Sequence, residues 1–294
     1  MFSVVIVTFN SRAIIGKCLD SLLSLKPRSE IIVVDNASKD GTFEEVKSRY
    51  GGVHIISNKK NLGFTKGCNQ GARAASGKYI LFLNPDTEIV SRDIFQRLRN
   101  FLPKHMDLGA VGFKFLNRDK SLQPSCGFFP TFPRILADRM KLVNNSWGFL
   151  IRKKGFYRKT QPVDWVSGSG LLVERQSFLA LGGFDEGIFM YGEDYELCFR
   201  LKKLGLKNYL FPKVIIMHQD TGKNNPLRKP HKYYSMRKGL LYFFKKYQKY
   251  IDYFLLAKTI KFESLFFLGA LPFRNKAPME KGLWKNFLMQ SLRL

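Results

Sequence analysis

The chain has 294 residues, of which 45% are hydrophobic and 24% are charged. This length and hydrophobic content exclude a disordered protein and predict a globular one with a sizeable core. Its 49 Lys and Arg against 23 Asp and Glu give a net charge of +26, which predicts an anionic partner such as nucleic acid, acidic lipid or a phosphorylated substrate.

The cysteine spacing and the apolar runs further restrict the class of protein and its cellular compartment. The four cysteines form no C-x-x-C pair, which favours reduced thiols in a cytosolic compartment over a disulfide scaffold. The apolar run at residues 4–7 is too short for a secretory signal. Charges interrupt residues 251–271, whereas a membrane span needs about 20 nearly uncharged residues. We therefore expect a cytoplasmic protein.

The first part of the chain alternates β-branched runs with helical patterns. Strands are predicted at residues 3–8, 30–34, 53–57 and 78–83, and helices at 11–25, 42–50 and 64–75. Such alternation predicts a mostly parallel sheet with helices on both faces. Ligands bind at the carboxyl ends of the strands in these sheets, where Asp35 and Asp86 lie.

The middle of the chain is less regular. Residues 116–163 are strongly basic and predict a loop-rich insertion. Regular structure is expected again over residues 165–174, in a helix after Gly192, and in strands near residues 208–211 and 213–218.

The chain changes character from residue 232. Apolar residues at helical spacing predict one helical face, formed by Met236, Leu240, Phe243, Tyr247, Ile251 and Phe254. Lys238, Lys245 and Lys249 project to roughly the opposite side. Two interpretations remain open: a helix packed on the preceding domain, or a helix lying on an anionic membrane surface. Residues 221–294 hold 16 Lys and Arg against 3 Asp and Glu.

The pair Glu193–Asp194 follows Gly192 and opens a helical pattern. Acids are favourable at a helix N-terminus, so the pair could serve only the helix dipole. A second acidic motif, Asn84-Pro85-Asp86, ends a predicted strand upstream. Two acidic sites in such positions indicate a metal site and a general base.

Asp86 is a candidate ligand for Mn²⁺ or Mg²⁺, because these ions take hard oxygen ligands and bridge carboxylates to substrate phosphates. The segment N-P-D-T also suits an ordinary turn. His218 ends the apolar run VIIMH, and it is either a further metal ligand or a structural residue.

Asp35 ends a buried strand, where its carboxylate could accept the imide N–H of uracil or thymine. The surrounding segment VVDNASKDGT is also rich in turn formers. The following loop-to-helix junction begins at Asn61 and contains Gly63 and Asn69, and its glycines permit close approach of the backbone to a nucleotide. A turn followed by a helix N-cap also explains much of this pattern.

Taken in order, these motifs resemble glycosyltransferase family 2 with the GT-A fold, in its non-processive, rhamnosyltransferase-like branch. The resemblance covers about residues 3–220. The matching segments are VVIVTFN (4–10), VVDNASKDGT (33–42), NLGF (61–64) with Asn69 and Gly71, LFLNPDTEI (81–89), WVSGSGLLVER (165–175), GGFDEGIFMYGEDYELCFRLKKLG (182–205) and the strand of His218.

The resemblance implies a fold, a reaction and a domain plan. The fold would be an α/β, Rossmann-like, mostly parallel sheet flanked by helices, with a basic amphipathic helical extension. Residues 1–115 would form the nucleotide-binding half, residues 116–220 the acceptor-binding half, and residues 221–294 a helical tail. The enzyme would move a sugar from dTDP-rhamnose or a UDP-sugar, with inversion, to a hydroxyl of a glycan or lipid-linked acceptor. It would act in cell-surface polysaccharide synthesis, as a peripheral protein at the cytoplasmic face of the membrane.

The resemblance also implies roles for individual residues. Asp194 would be the catalytic base with Glu193 beside it, and Asp86 would hold the metal with His218. Trp165 and Gly168 would border the acceptor and the donor sugar. The nucleotide would contact Thr8, Asn10, Asp35, Asn61, Gly63, Asn69 and Asn84.

Two departures from the family pattern have consequences. Asn84 replaces the first acid of the DXD motif, so metal binding would depend more heavily on Asp86. The Q-x-x-R-W motif of processive synthases is absent, which indicates transfer of one or a few sugars.

Two other functions would explain parts of the sequence. A sugar nucleotidyltransferase would need a Gly-rich basic loop after the first strand, where this chain reads TFNSRAIIGK. A nucleic-acid-binding protein would explain the charge, but no recognition motif is found and the acidic motifs stay unexplained. No nucleic-acid partner is therefore expected.

Overall fold

A computed structural model describes residues 2–26, 29–139, 149–151, 153–219, 229–273 and 278–294. Parts of the predicted insertion and of the predicted basic tail therefore lie outside the described residues.

All the strands among the described residues belong to the first 220 residues. They are β1 Phe2–Thr8, β2 Glu30–Asp35, β3 His54–Ser57, β4 Tyr79–Leu83, β5 Thr87–Ile89, β6 Leu108–Leu116, β7 Leu122–Gln123, β8 Cys126–Gly127, β9 Gln161–Val163, β10 Trp165–Val166, β11 Gly170–Glu174 and β12 Lys207–His218.

Helices connect these strands and form the C-terminal part of the chain. They are α1 Arg12–Leu23, α2 Thr42–Arg49, α3 Phe64–Ala74, α4 Ile94–Phe101, α5 Phe132–Arg139, α6 Arg175–Ala180, α7 Glu193–Lys203, α8 Lys229–Tyr247, α9 Tyr250–Ala270 and α10 Pro278–Leu292. Short 3₁₀ helices cover Leu102–Lys104, Lys154–Arg158 and Leu271–Phe273.

A 10-stranded sheet has the order β3-β2-β1-β4-β11-β6-β12-β5, with β7 beside β6 and β9 beside β12. Strands β1 to β4 are parallel to one another. Strand β11 runs antiparallel to β4, with Gly170 opposite Leu83. The start of β11 therefore lies at the same edge of the sheet as the ends of β1, β2 and β4.

Both faces of the sheet are covered, because β1 is apolar on each side. Val5 and Val7 pack with α3, whereas Val4 and Ile6 pack with α1 on the opposite face. Helix α3 approaches β1 closely: a Cβ at Gly71 would lie 2.4 Å from Val5 Cγ1. The predicted α/β sheet with helices on both faces is confirmed.

The C-terminal part differs from the prediction. A single helix through residues 236–254 is wrong, because α8 ends at Tyr247 and α9 begins at Tyr250. Leu240 and Phe243 are buried, and the Phe243 ring packs 5.2 Å from the ring of Tyr195 in α7. These two residues of the predicted face thus belong to a packed helix.

Two further expectations need adjustment. The strands predicted near residues 208–211 and 213–218 form one strand, β12, with a register shift between Phe211 and Ile215. The insertion at residues 116–163 is largely irregular but also contains α5 and three short strands within its described part. Among the described residues, no helix is both long and apolar enough to cross a membrane.

Candidate active site

The centre of the sheet edge is formed by the ends of β1 and β2. Thr8 and Asp35 are direct cross-strand partners, and both are buried. The Asp35 carboxylate accepts the backbone N–H of Ser38 at 3.0 Å and its hydroxyl at 2.5 Å. Thr8 Oγ1 is buried without a hydrogen-bond partner among the described residues. A buried hydroxyl in this state is costly, so a ligand group that bonded it would stabilise the site.

Asn10 fastens the loop after β1 to the loop after β2. Its φ of 50° is left-handed, a region that Asn tolerates better than most residues. Its N–H donates to Ser38 Oγ at 2.8 Å, and its Oδ1 accepts the N–H of Lys39 at 2.8 Å. Asn10 therefore shapes the loop that carries Asp35, and its predicted nucleotide contact would be additional to this role.

The junction before α3 is held by Asn61 and Gly63. Asn61 Oδ1 accepts the N–H of Gly63 at 2.9 Å. Gly63 has a φ of 88°, and a Cβ there would lie 2.8 Å from the carbonyl oxygen of Phe189. The junction is therefore packed against the segment that precedes Glu193.

Asn69 holds the loop at Phe184. Its Nδ2 donates to the carbonyl of Phe184 at 2.9 Å, and its Oδ1 accepts the N–H of Phe184 at 2.8 Å. The side chain is buried and both ends of its amide face this loop, so its nucleotide contact stays a prediction, additional to this structural role.

The end of β4 brings the predicted metal residues together. Asn84 Nδ2 donates to Ser169 Oγ at 2.8 Å, which ties the end of β4 to the start of β11. His218 Nε2 lies 3.3 Å from Asp86 Oδ1, because β12 pairs with β5 immediately after Asp86. His218 Nδ1 is 3.0 Å from Gln123 Oε1, a contact that orients the ring.

This pair is the candidate metal site. Within the described residues, no group of three or more His, Cys, Asp or Glu side chains is placed to hold a metal ion. Mg²⁺ and similar ions commonly take one or two protein side chains and complete their coordination with substrate phosphates. Asp86 and His218 fit that pattern.

Glu193 and Asp194 begin α7 after Gly192, whose φ is 113°. The backbone N–H of Gly168 lies 3.4 Å from Asp194 Oδ2. A Cβ at Gly168 would lie 3.4 Å from Glu193 Oε1. The structure thus brings three predicted site residues together, although 25 residues or more of the sequence separate Gly168 from the pair.

The pKa values of both carboxyls are raised. Burial, with the neighbouring charge of Asp194, raises the pKa of Glu193 to about 8. Burial raises the pKa of Asp194 to about 6, and the N–H groups of Tyr195 and Gly168 oppose this shift. Asp194 also keeps partial access to solvent. The larger rise favours the neutral form of Glu193, and carboxyls whose pKa values differ can divide the acid and base roles.

Trp165 lies beneath the site. Its side chain is 4% exposed, its indole N–H donates to the carbonyl of Phe128 at 3.0 Å, and its ring stacks 5.0 Å from that of Phe149. The indole therefore supports the residues around Gly168 and α7, and its contact with a sugar stays a prediction.

Sequence reasoning missed the contribution of α8. A Cβ at Gly239 would lie 1.9 Å from the carbonyl oxygen of Tyr191, two residues before Glu193. Lys246 Nζ lies 2.5 Å from Asp185 Oδ2, and the Tyr242 hydroxyl donates to the same oxygen at 2.9 Å. The only sequence signal was the apolar spacing of Leu240 and Phe243 within this helix.

Fold and site together define a class of protein, the GT-A glycosyltransferases. S. aureus TarS 1-349 in complex with UDP-GlcNAc has a TM-score of 0.56 and 17% identity, covering 99% of this chain and 81% of that chain. GalNAc-T7 with UDP, GalNAc and Mn²⁺ has a TM-score of 0.57 and 16% identity, covering 98% of this chain and 54% of that chain. At these identities the likeness establishes the fold.

The family follows from the sequence comparisons. The model of glycosyl transferase family 2 matches residues 3–160. N-acetylglucosaminyl-diphospho-decaprenol L-rhamnosyltransferase of Mycobacterium tuberculosis is 30% identical over 233 residues, covering 73% of this chain and 75% of that protein. Rhamnosyltransferase WbbL of Escherichia coli is 31% identical over 229 residues, covering 74% and 83%. The chain belongs to glycosyl transferase family 2.

Family membership confirms the predicted class of enzyme. The chain is a glycosyltransferase that uses a nucleotide sugar, and it is similar to rhamnosyltransferases. Neither the sugar nucleotidyltransferase nor the nucleic-acid-binding alternative is favoured.

Proposed function

We propose that this enzyme transfers a sugar, from dTDP-rhamnose or a UDP-sugar, to a hydroxyl of a lipid-linked or glycan acceptor in cell-surface polysaccharide synthesis. The names of the two bacterial relatives support a rhamnosyl donor, and one of those names specifies a lipid diphosphate acceptor. The observation that carries the proposal is the carboxyl pair Glu193–Asp194 beside Gly168, at the sheet edge that also holds Asp35 and Asp86.

The donor would bind across the ends of β1, β2 and β4. Asp35 would accept the imide N–H of the base, and the unpartnered hydroxyl of Thr8 would bond the nucleotide. Asp86 and His218, 3.3 Å apart, would hold Mn²⁺ or Mg²⁺. When bound, such an ion neutralises the charge that develops on a leaving diphosphate.

The acceptor would react at Asp194. Its carboxylate would take the proton from the acceptor hydroxyl as that oxygen attacks the anomeric carbon. The N–H groups of Gly168 and Tyr195 hold the carboxylate, and the proton on Glu193 avoids a second buried negative charge next to it. A single displacement of this kind inverts the anomeric configuration.

The test of this assignment is Asp194→Asn. Removal of a general base should lower the turnover by about 10²–10⁴-fold, whereas the affinity for the nucleotide should stay nearly unchanged. Asp252→Asn is a matched control, because Asp252 is also a first-turn acid, in α9. Near-normal turnover of the Asp194 variant would show that Asp194 is not the base, and Glu193 would then be the next candidate.

The enzyme would act as a peripheral protein at the cytoplasmic face of an anionic membrane, where lipid-linked acceptors are presented. The predicted apolar stripe cannot provide the whole contact, because Leu240 and Phe243 are buried. The predicted lysines, Lys238, Lys245 and Lys249, are exposed and can attract anionic head groups.

A further inference from the structure

Helix α9 is apolar on two opposite faces. Its inner face is buried at Leu256, Ile260 and Ser264. At 100° per residue, a second set of apolar side chains falls on the opposite side. We name this set the outer face; it consists of Ile251, Phe254, Leu255, Phe262, Leu265 and Phe266.

The outer face is open to solvent along the helix. Phe262 is 70% exposed, Phe266 is 64% exposed and Leu265 is 58% exposed. The outer face also contains Lys258, whose Nζ lies 5.3 Å from the centre of the Phe254 ring. Lysine in this position can lay its aliphatic stem along the apolar surface and keep its charge in a polar layer.

A contiguous apolar surface of this kind marks a contact with another molecule or with a membrane. A helix that is apolar all round is typical of a protein core or of a lipid environment. Helix α9 has 21 residues and is therefore about 30 Å long. The outer face extends along most of this length, so it is a continuous apolar surface and not an isolated exposed side chain.

The outer face could be covered by a second copy of this chain or by a bilayer, and the net charge distinguishes these two possibilities. A second copy of this chain would bring another net charge of +26 towards the first, and like charges oppose association. An anionic bilayer has the complementary charge; Lys258 in the outer face of α9 and Lys249, the residue before the helix, are both exposed. Electrostatic complementarity therefore favours the bilayer.

We propose that the outer face of α9 inserts shallowly into an anionic bilayer, with the helix lying in the plane of the interface. The proposal rests on the membrane association described under the proposed function, and it assigns the surface that makes the contact. Apolar side chains would enter the boundary between head groups and acyl chains, while the lysines of α8 and α9 would meet the head groups. The contact therefore lies mainly beyond the predicted stripe at residues 236–254.

Co-sedimentation of the full chain with phosphatidylglycerol vesicles and with phosphatidylcholine vesicles tests the proposal. The double variant Phe262→Ser and Phe266→Ser should bind phosphatidylglycerol about tenfold or more weakly, because it loses two large apolar side chains from the inserted face. The matched control is Met106→Ser, since Met106 is 93% exposed in a loop outside the tail; it should bind like the unmodified chain.

A variant with reversed charges distinguishes electrostatic attraction to the head groups from insertion of the apolar side chains. Changing Lys238, Lys245 and Lys249 to Glu should remove the preference for phosphatidylglycerol, because the basic residues supply the attraction. High salt should weaken binding of the unmodified chain for the same reason.

Two results would overturn the proposal. One is equal binding of the phenylalanine variant and the unmodified chain. The other is a stable dimer of the unmodified chain that the same variant converts to a monomer, with no binding to vesicles, which would identify a second copy as the occupant. Nucleotide binding measured without vesicles reports on the proposed transferase separately, so failure of either proposal can be recognised.

Discussion

Glu193 and Asp194 are neighbours in the chain, yet their environments differ. Burial raises the pKa of both, and backbone N–H groups oppose the rise at both; for Asp194 these include Tyr195 and Gly168, whereas the charge of Asp194 raises the pKa of Glu193 further. Glu193 Oε2 is buried without a partner among the described residues, which is less costly for a neutral carboxylic acid than for a carboxylate.

Glu193→Gln tests the protonation state of Glu193 through stability. The folded-state pKa is raised from 4.5 to about 8, so between these values the folded chain holds a proton that the unfolded chain has lost. The free energy of unfolding should therefore fall as pH rises through this window. Gln cannot ionise, so the melting temperature of the variant should rise relative to that of the unmodified chain from pH 5 to pH 8.5.

Two controls sharpen this measurement. Glu44→Gln changes an exposed first-turn glutamate in α2 and should show no such trend. Turnover of the Glu193 variant at pH 7 should fall by less than the about 10²-fold loss expected for a lost general base, because Gln resembles the protonated acid. A constant difference in melting temperature across the pH range would contradict the assignment.

Asp86→Ala should weaken binding of the nucleotide diphosphate in the presence of Mn²⁺ by at least about tenfold, with little effect when a chelator is present. The reason is that Asp86 supplies the carboxylate oxygen of the candidate metal pair. Isothermal titration calorimetry measures both affinities, and Glu88→Ala, two residues further along the same segment, is the control. Full transfer activity in excess chelator would exclude the predicted metal dependence.

At the scale of elements, α8 braces the segment before the catalytic pair. Gly239 packs directly against the backbone of Tyr191, and Tyr191 and Gly192 both have positive φ values, of 68° and 113°. Lys246 binds Asp185 and the buried Glu196 of α7, at 2.5 and 3.2 Å. The position of α8 therefore influences the start of α7.

Gly239→Ala should lower kcat by about 10²-fold, the effect that a displacement of about 1 Å can have on catalysis. The added Cβ would lie 1.9 Å from the carbonyl oxygen of Tyr191, so the segment or the helix must shift. Gly269→Ala is the matched control, because a Cβ there meets nothing within 4 Å and both changes favour a helix equally. Equal steady-state rates for the two variants would show that the contact of α8 with Tyr191 does not position the catalytic pair.

The local sequence pattern was sufficient to predict the strands and helices of the nucleotide-binding half. The β-branched runs and helical spacings predicted β1 to β4 and α1 to α3 to within about two residues. The break between α8 and α9 was not predicted, because residues 247–250 continue the apolar spacing and contain neither Gly nor Pro. Packing of Phe243 against Tyr195 of α7, which no local pattern records, distinguishes the first helix from the second.

At the scale of the whole molecule, the antiparallel β11 explains why the site assembles. It returns Gly168 to the edge where β1, β2 and β4 end. The motifs predicted which residues meet there, but they could not tell contact with substrate from internal support. Asn69 and Trp165 show this limit, because each satisfies its polar groups within the protein.

The proposed reaction is a single displacement on a nucleotide-diphosphate sugar. The most direct measurement is the anomeric configuration of the product by nuclear magnetic resonance, after incubation with dTDP-rhamnose or UDP-sugars, Mn²⁺ and a lipid diphosphate acceptor bearing N-acetylglucosamine. The predicted result is a new glycosidic bond of inverted configuration, formed by the unmodified chain and formed about 10²–10⁴-fold more slowly by Asp194→Asn. Product that retains the donor configuration, or near-normal transfer by the variant, would contradict this mechanism.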